Sequence, residues 1–186
     1  MKIIPYDFEH KASILAEALV TLFSGGTVVY PTETAYGLGA DFFSPSAYRK
    51  VYQLKYRDAR KPLPVIVPDV HYARTLVQFP PPASEIAEHY WPGPVTLVLP
   101  FLYRREWSHH ADDYLGLRVS SHPLATALSS AFGRPLISTS ANVSGKEPVY
   151  TISDFLKQFE GKHKKPDLVI DAGELPKVDP STIVKV

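Results

Sequence analysis

Short β-branched and aromatic runs alternate with segments of helical period along the whole chain, and this alternation restricts the fold more than any other feature. Thr27 to Tyr30, Val95 to Leu99, Leu117 to Ser120, Leu136 to Ser140 and Leu168 to Ile170 read as buried strands. Lys2 to Pro5 reads as a first strand, and Leu63 to Val67 as one that Pro64 confines to an edge or a bulge. Between them, Ile14, Leu15, Ala18, Leu19, Leu22 and Phe23 follow helical spacing behind Asp7 as a cap, and Gly25-Gly26 ends the helix. Ser44-Pro45 supplies the N-cap and first helical position of a second helix running to about Leu54, because proline there needs no hydrogen-bond partner for its nitrogen. Asp69 caps His71 to Val77, a further helix lies near Ser84 to Tyr90, and Pro123 to Phe132 forms another, entered at His122 and closed by Gly133. Neither a repeat nor a linker interrupts the succession. The expectation is α/β: one domain over 1–186, with a twisted mixed parallel and antiparallel sheet flanked by helices.

Composition sharpens this by exclusion. The 18 prolines are about twice the average usage of roughly 5%, yet they stand singly or in short groups at the ends of apolar segments, where they punctuate an ordered fold. With 20 Lys and Arg against 19 Asp and Glu, bulk charge does not hold this chain to nucleic acid or to an anionic membrane. The absence of cysteine removes disulfides, thiolate metal sites and a catalytic thiol. No apolar stretch approaches the roughly 18 residues of a membrane span, and Met-Lys-Ile-Ile-Pro-Tyr-Asp lacks the form of a secretory signal, so a cytoplasmic protein without membrane partners is expected.

Three segments have the residues for chemistry. Residues 49 to 61 hold Arg49, Lys50, Lys55, Arg57, Arg60 and Lys61 against the single acid Asp58. Arg forks and Lys point charges suit phosphate, while a solvated helix end with cations favoured by the dipole accounts for the same charges. The loop from Pro31 to Gly39 follows a buried strand, and hydroxyls at Thr32 and Thr34 can orient a small polar ligand or simply cap a helix. Ser138 to Gly145 stands at the end of another apolar strand and offers hydroxyls and one amide, as a ligand loop or as a set of Asx and Ser/Thr turns. His109 and His110 with Asp112 and Asp113 read as a solvated polar loop in preference to a metal cluster, because adjacent residues rarely converge on one ion. A Gly-x-Ser-x-Gly nucleophile elbow is missing.

Taken in order, PTETAYGLGAD (31 to 41), KYRDARKPLPVIV (55 to 67), WPGPVTLVLP (91 to 100), GLRVSSHPLA (116 to 125) and STSANVSGKEP (138 to 148) closely resemble the YrdC-like family of threonylcarbamoyl-AMP synthases. Each motif alone is weak; their succession is specific. The resemblance implies a twisted sheet around a large basic cavity, and an enzyme that makes L-threonylcarbamoyladenylate and pyrophosphate from L-threonine, bicarbonate or CO2, and ATP with Mg2+. A threonylcarbamoyl-transferase complex would use the product to modify adenosine 37 of tRNA, and tRNA itself is a candidate partner.

Carried over by motif, Thr34, Arg118, Ser138 and Ser181 would hold threonine, and Lys55, Arg57, Lys61, Tyr114, Ser140, Asn142 and Pro148 the nucleotide, with Lys55 and Arg57 neutralising phosphate charge in catalysis. Ile66 stands where some longer members carry a threonine-contacting His, which implies a differently closed threonine pocket, and the chain ending at Val186 resembles the short bacterial form. The competing expectation is an RNA-binding module without catalysis, gripping tRNA or double-stranded RNA through phosphates with a steep salt dependence.

Overall fold

The computed structural model describes residues 1–7, 9–103 and 113–186. Its strands are β1 (Lys2–Pro5), β2 (Thr27–Pro31), β3 (Tyr36–Asp41), β4 (Val65–Ile66), β5 (Val95–Pro100), β6 (Tyr114–Arg118), β7 (Leu136–Ser140), β8 (Leu168–Asp171) and β9 (Thr182–Lys185). The helices are α1 (Lys11–Phe23), α2 (Pro45–Lys55), α3 (Val70–Leu76), α4 (Pro81–Tyr90), α5 (Pro123–Phe132) and α6 (Ile152–Phe159). All the strands join one sheet in the order β1-β8-β2-β3-β7-β4-β6-β5-β9. It is mixed, as expected: β1–β8, β2–β8, β4–β6 and β5–β9 are parallel, whereas β2–β3, β3–β7, β4–β7 and β5–β6 are antiparallel.

Strand alternation divides the core in two. Val28 and Tyr30 of β2, with Leu136 of β7, face a layer built by Ile14, Ala18 and Leu22 of α1 and Leu124, Leu128 and Phe132 of α5. Val29 and Ile137, one residue on, point to the other face, where Tyr48, Val51 and Leu54 of α2 and Phe155 and Phe159 of α6 pack. Burying each such Leu, Ile or Phe side chain contributes about 1.5–3 kcal/mol before entropy is counted.

Local chemistry sets most helix ends where the sequence places them. Ser44 Oγ accepts from Ala47 N at 3.3 Å, Asp69 Oδ1 from Tyr72 N at 2.7 Å, and His122 Nδ1 from Leu124 N at 3.2 Å. Gly133 ends α5 at φ 64°, in the left-handed region where a side chain is disfavoured.

Two expectations are corrected, and two further elements are found. Asp7 does not cap α1, because its carboxylate accepts from Glu9 N at 2.9 Å and contacts His10 Nδ1 at 2.8 Å ahead of the helix, which starts at Lys11 without a side-chain cap. The polar loop from Pro31 to Gly39 is only a four-residue turn, since residues from Tyr36 onward form β3, paired in register with β2 and β7. Helix α6 and strand β9 have no counterpart among the elements expected from the sequence. α6 is eight residues long and buries Ile152, Phe155 and Phe159 behind Thr151, whose side chain accepts from Asp154 N; β9 is mostly exposed and gains its order from pairing with β5.

The strand expected at an edge or a bulge over Leu63 to Val67 is an interior one: β4 pairs with both β7 and β6, and it tolerates Pro64 because it is only Val65 and Ile66 long, with the proline just outside the ladder. Among the described residues no helix is long and apolar enough to cross a membrane.

Candidate functional site

The β2–β3 turn, β6, β7 and residues 178–183 of the C-terminal segment meet around a cavity of about 250 Å³. That volume lies below the roughly 300–1,000 Å³ of sites that enclose drug-sized ligands, so it suits a small polar molecule or one part of a larger one. Thr34, Arg118, Ser138 and Ser181, drawn from four separate stretches of sequence, all line it. Ser140 and Pro148, expected at the nucleotide, line it as well. Arg118 is the one charged side chain among the described residues of the wall, which is otherwise hydroxyl-bearing and apolar.

Arg118, Ser138 and Ser181 are each held by a partner. Arg118 Nη1 donates to Glu33 Oε1, and Ser120 Oγ donates to Glu33 Oε2. The ion pair is almost out of water, with the two side chains 9% and 13% exposed, so its strength depends on both partners staying in place. Glu33 reaches it from the β2–β3 turn, whose shape is fixed by Thr32 Oγ1 donating to Ala35 O at 2.6 Å. Tyr30 donates to Ser138 Oγ at 2.9 Å, and burial pushes that phenol up to about 12, so it remains a donor at neutral pH. Thr96 and Ser181 hydroxyls lie 3.0 Å apart, and Thr182 N donates to Pro94 O at 2.9 Å, which docks the C-terminal segment on β5. Tyr36 donates to Gly173 O at 2.7 Å and accepts from Ala172 N at 2.8 Å, fixing the start of the same segment.

The cations at 49 to 61 go elsewhere. Lys55 is 2% exposed, and its ammonium donates to the carbonyls of Ser140 and Asn142, the second at 2.8 Å. Burial first, and Arg57 second, push this ammonium down to about 7. Lys55 therefore fastens the Ser140–Asn142 loop from behind and does not reach the cavity wall.

Arg57 Nη2 donates to Pro62 O at 3.1 Å and Nε to Lys61 O at 3.4 Å, while Lys61 itself is exposed. Asn142 donates to Val143 O at 3.1 Å and to Lys146 O, bracing the loop internally. Tyr114 is half-buried, with Lys185 Nζ 3.7 Å above its ring. Lys55, Arg57, Lys61, Tyr114 and Asn142 thus surround the cavity wall or stand apart from it, and Ser140 is the residue shared by the two groups.

Sequence reasoning misses Glu33, Tyr30 and Thr96. Only the period-two alternation of β2 and β5 could aim Tyr30 and Thr96 toward Ser138 and Ser181, and nothing local pairs Glu33 with a residue 85 positions away. Ile66 is fully buried in the α1–α5 layer, in register with Arg118 of β6, and its neighbour Val65 lines the cavity. His109, His110 and Asp112 lie outside the described residues; among those described, no group of three His, Asp or Glu could hold a metal ion.

A mixed α/β sheet with a hydroxyl-lined, amino-acid-sized pocket and one buried guanidinium is the class of protein that the fold and cavity define. The family model described as Telomere recombination, for Sua5, YciO and YrdC, matches residues 21–186, and the chain belongs to that family. It is 36% identical over 172 residues to the threonylcarbamoyl-AMP synthase of Marinobacter nauticus, covering 84% of this chain and 90% of the relative. It is 33% identical over 192 residues to a putative threonylcarbamoyl-AMP synthase of Methanocaldococcus jannaschii, covering 100% and 86%.

Among solved structures, P. abyssi Sua5 complexed with L-threonine superposes with a TM-score of 0.89 at 30% identity; the match covers this whole chain but only 54% of the Sua5 chain. E. coli YciO, at 24% identity and TM-score 0.83 over 99% of this chain and 88% of its own, shows the shared fold.

Proposed function

We propose that this protein is a threonylcarbamoyl-AMP synthase, an enzyme of the nucleotidyltransferase class that acts in the cytoplasm on L-threonine, bicarbonate or CO2, and ATP. The observation that carries the reading is the convergence of Thr34, Arg118, Ser138 and Ser181 on one small cavity. Arg118 would take the amino-acid carboxylate by a charge-assisted fork, and the surrounding hydroxyls would take its amine and side-chain hydroxyl. The names of the relatives, and the L-threonine complex of P. abyssi Sua5, support the same substrate.

The chemistry needs no protein nucleophile. The threonine amine adds to CO2, forming an N–C bond and losing a proton, to give a carbamate; from bicarbonate, water leaves in the same step. A carbamate oxygen then attacks the α-phosphorus of ATP, and the bond to the bridging oxygen breaks to expel pyrophosphate. The protein's task is placement and charge neutralisation.

Arg57 spends two N–H groups on the Lys61 and Pro62 carbonyls and keeps others for phosphate. Lys55 would act through the backbone of Ser140 and Asn142, and Lys61, Tyr114 and Pro148 would complete the nucleotide side. Mg2+ belongs to the ATP substrate on this reading, because the described residues of the cavity wall include no carboxylate and Glu33 behind it is engaged by Arg118 and Ser120. A transferase complex that loads tRNA would consume the product.

The test is pyrophosphate release by the purified protein. It is expected only when ATP, threonine and bicarbonate are all present, and Arg118→Ala should raise the threonine needed for half-maximal release by about tenfold or more. Release that ignores threonine overturns the reading. Binding of RNA with a steep salt slope and no response to threonine would favour the RNA-binding module instead.

A further inference from the structure

A second concavity, of about 470 Å³, lies between the α1–β2 turn, helix α2 and the segment joining α6 to β8. Helix α2 supplies Arg49, Lys50 and Gln53, and the joining segment supplies His163, Lys164 and Lys165. Residues more than a hundred positions apart are tied together here. Lys164 Nζ donates to Gln53 Oε1 at 2.8 Å, and Lys50 Nζ donates to Asp167 Oδ2 at 2.9 Å. The same Asp167 oxygen accepts from Thr27 N at 2.7 Å and Thr27 Oγ1 at 2.9 Å, so the floor of the basin is fixed to β2.

The charge in this basin is unbalanced. Asp167 is taken by Lys50 and Thr27; burial would raise its carboxyl, but these contacts hold it below the usual carboxylate range. Arg49, Lys164 and Lys165 have no carboxylate partner among the described residues. Three uncompensated cations on one concavity, in a chain of net charge +1, repel one another unless an anion lies among them. The apolar Leu54 in the wall focuses that field, and Ser46 adds a neutral hydroxyl beside the guanidinium fork. Because the cations gather in one hollow and are not spread along a face, a compact ligand fits better than a nucleic-acid backbone.

We propose that this basin is a second anion site, separate from the hydroxyl-lined cavity, which binds a compact polyphosphate carrying two or three linked phosphates. Inorganic triphosphate titrated into the 15N-labelled full chain is the probe. The amides of Gly25, Ser46, Gln53 and Lys164 should shift together and saturate, with an affinity that falls as NaCl is raised. Arg49→Ala/Lys165→Ala should weaken that binding about tenfold or more, and the charge-conserving Arg49→Lys/Lys165→Arg should keep it.

Shifts of the Thr34 and Ser138 amides report separately on the other cavity, so loss of the basin response does not depend on the synthase reading. No response of the basin amides at millimolar triphosphate overturns the proposal, as does an unchanged affinity in the double-alanine variant. A basin that answers to tRNA but not to triphosphate overturns it in favour of an RNA surface.

Discussion

Removing the Glu33 carboxylate leaves the Arg118 guanidinium in a nearly dry wall without its anion. Glu33→Ala should therefore destabilise the fold by about 3–5 kcal/mol in urea denaturation, the loss expected when one partner of a buried pair is deleted. Saturating threonine should restore more stability to this variant than to the wild type, because the amino-acid carboxylate can take the vacant place; equal stabilisation would separate Arg118 from threonine.

Lys55 gives a pH signature. Its ammonium titrates at about 7 in the folded chain against the ordinary lysine value of 10.5, so between those values the unfolded chain holds a proton that the folded chain has released. Stability contributed by this group therefore rises with pH through that window, by at most about 1.4 kcal/mol per pH unit. Urea midpoints compared at pH 7 and pH 9 should show this rise in wild type and not in Lys55→Met, and identical slopes would mean that the buried ammonium keeps its proton. At this scale the sequence supplies the residue types: Thr34, Arg118, Ser138 and Ser181 stand out by motif and do converge. It cannot show that Lys55 turns its charge toward carbonyls, since that depends on where β7 and its loop pass over the end of α2.

At the scale of elements, β3 shows what pattern reading overlooks. Its Tyr-Gly-Leu-Gly-Ala-Asp has two glycines, which look like loop residues, yet the strand lies between β2 and β7 in the middle of the sheet. The glycines are there because a large ring passes over them: a Cβ on Gly39 would lie 2.8 Å from Tyr30 Cε1 and 3.4 Å from Ile137 O. Tyr30 is fully buried and cannot give way freely. Gly39→Ala should cost about 1–3 kcal/mol by overpacking, and it should weaken threonine binding measured by calorimetry through displacement of the Tyr30–Ser138 hydrogen bond. Threonine affinity that survives a measured loss of stability would disconnect that ring from the pocket. β9 escapes pattern reading for the opposite reason: it is short and mostly exposed, and only its ladder with β5 makes it a strand.

For the whole molecule, one face of the sheet carries both the α1–α5 layer and the cavity, since Ser138 follows Leu136 by two residues on β7 and Arg118 is in register with Ile66. Leu128→Ala, in the α1–α5 layer, should lower stability by about 2–5 kcal/mol through cavity formation while threonine affinity stays within about twofold of wild type. A large loss of affinity in the folded variant would show that packing under α5 is coupled to the pocket on the same face. The alternation of strand and helix, the proline punctuation and the capping residues Ser44, Asp69 and His122 are all legible because they are local: each depends on residues within a turn or two.

The motif order likewise marks the family and the residues of the pocket. Only the tertiary structure pairs Glu33 with Arg118, joins Lys164 to Gln53 and lays the C-terminal segment against β5, because those contacts bridge from 85 to 111 positions and are chosen by sheet order, which no local pattern encodes.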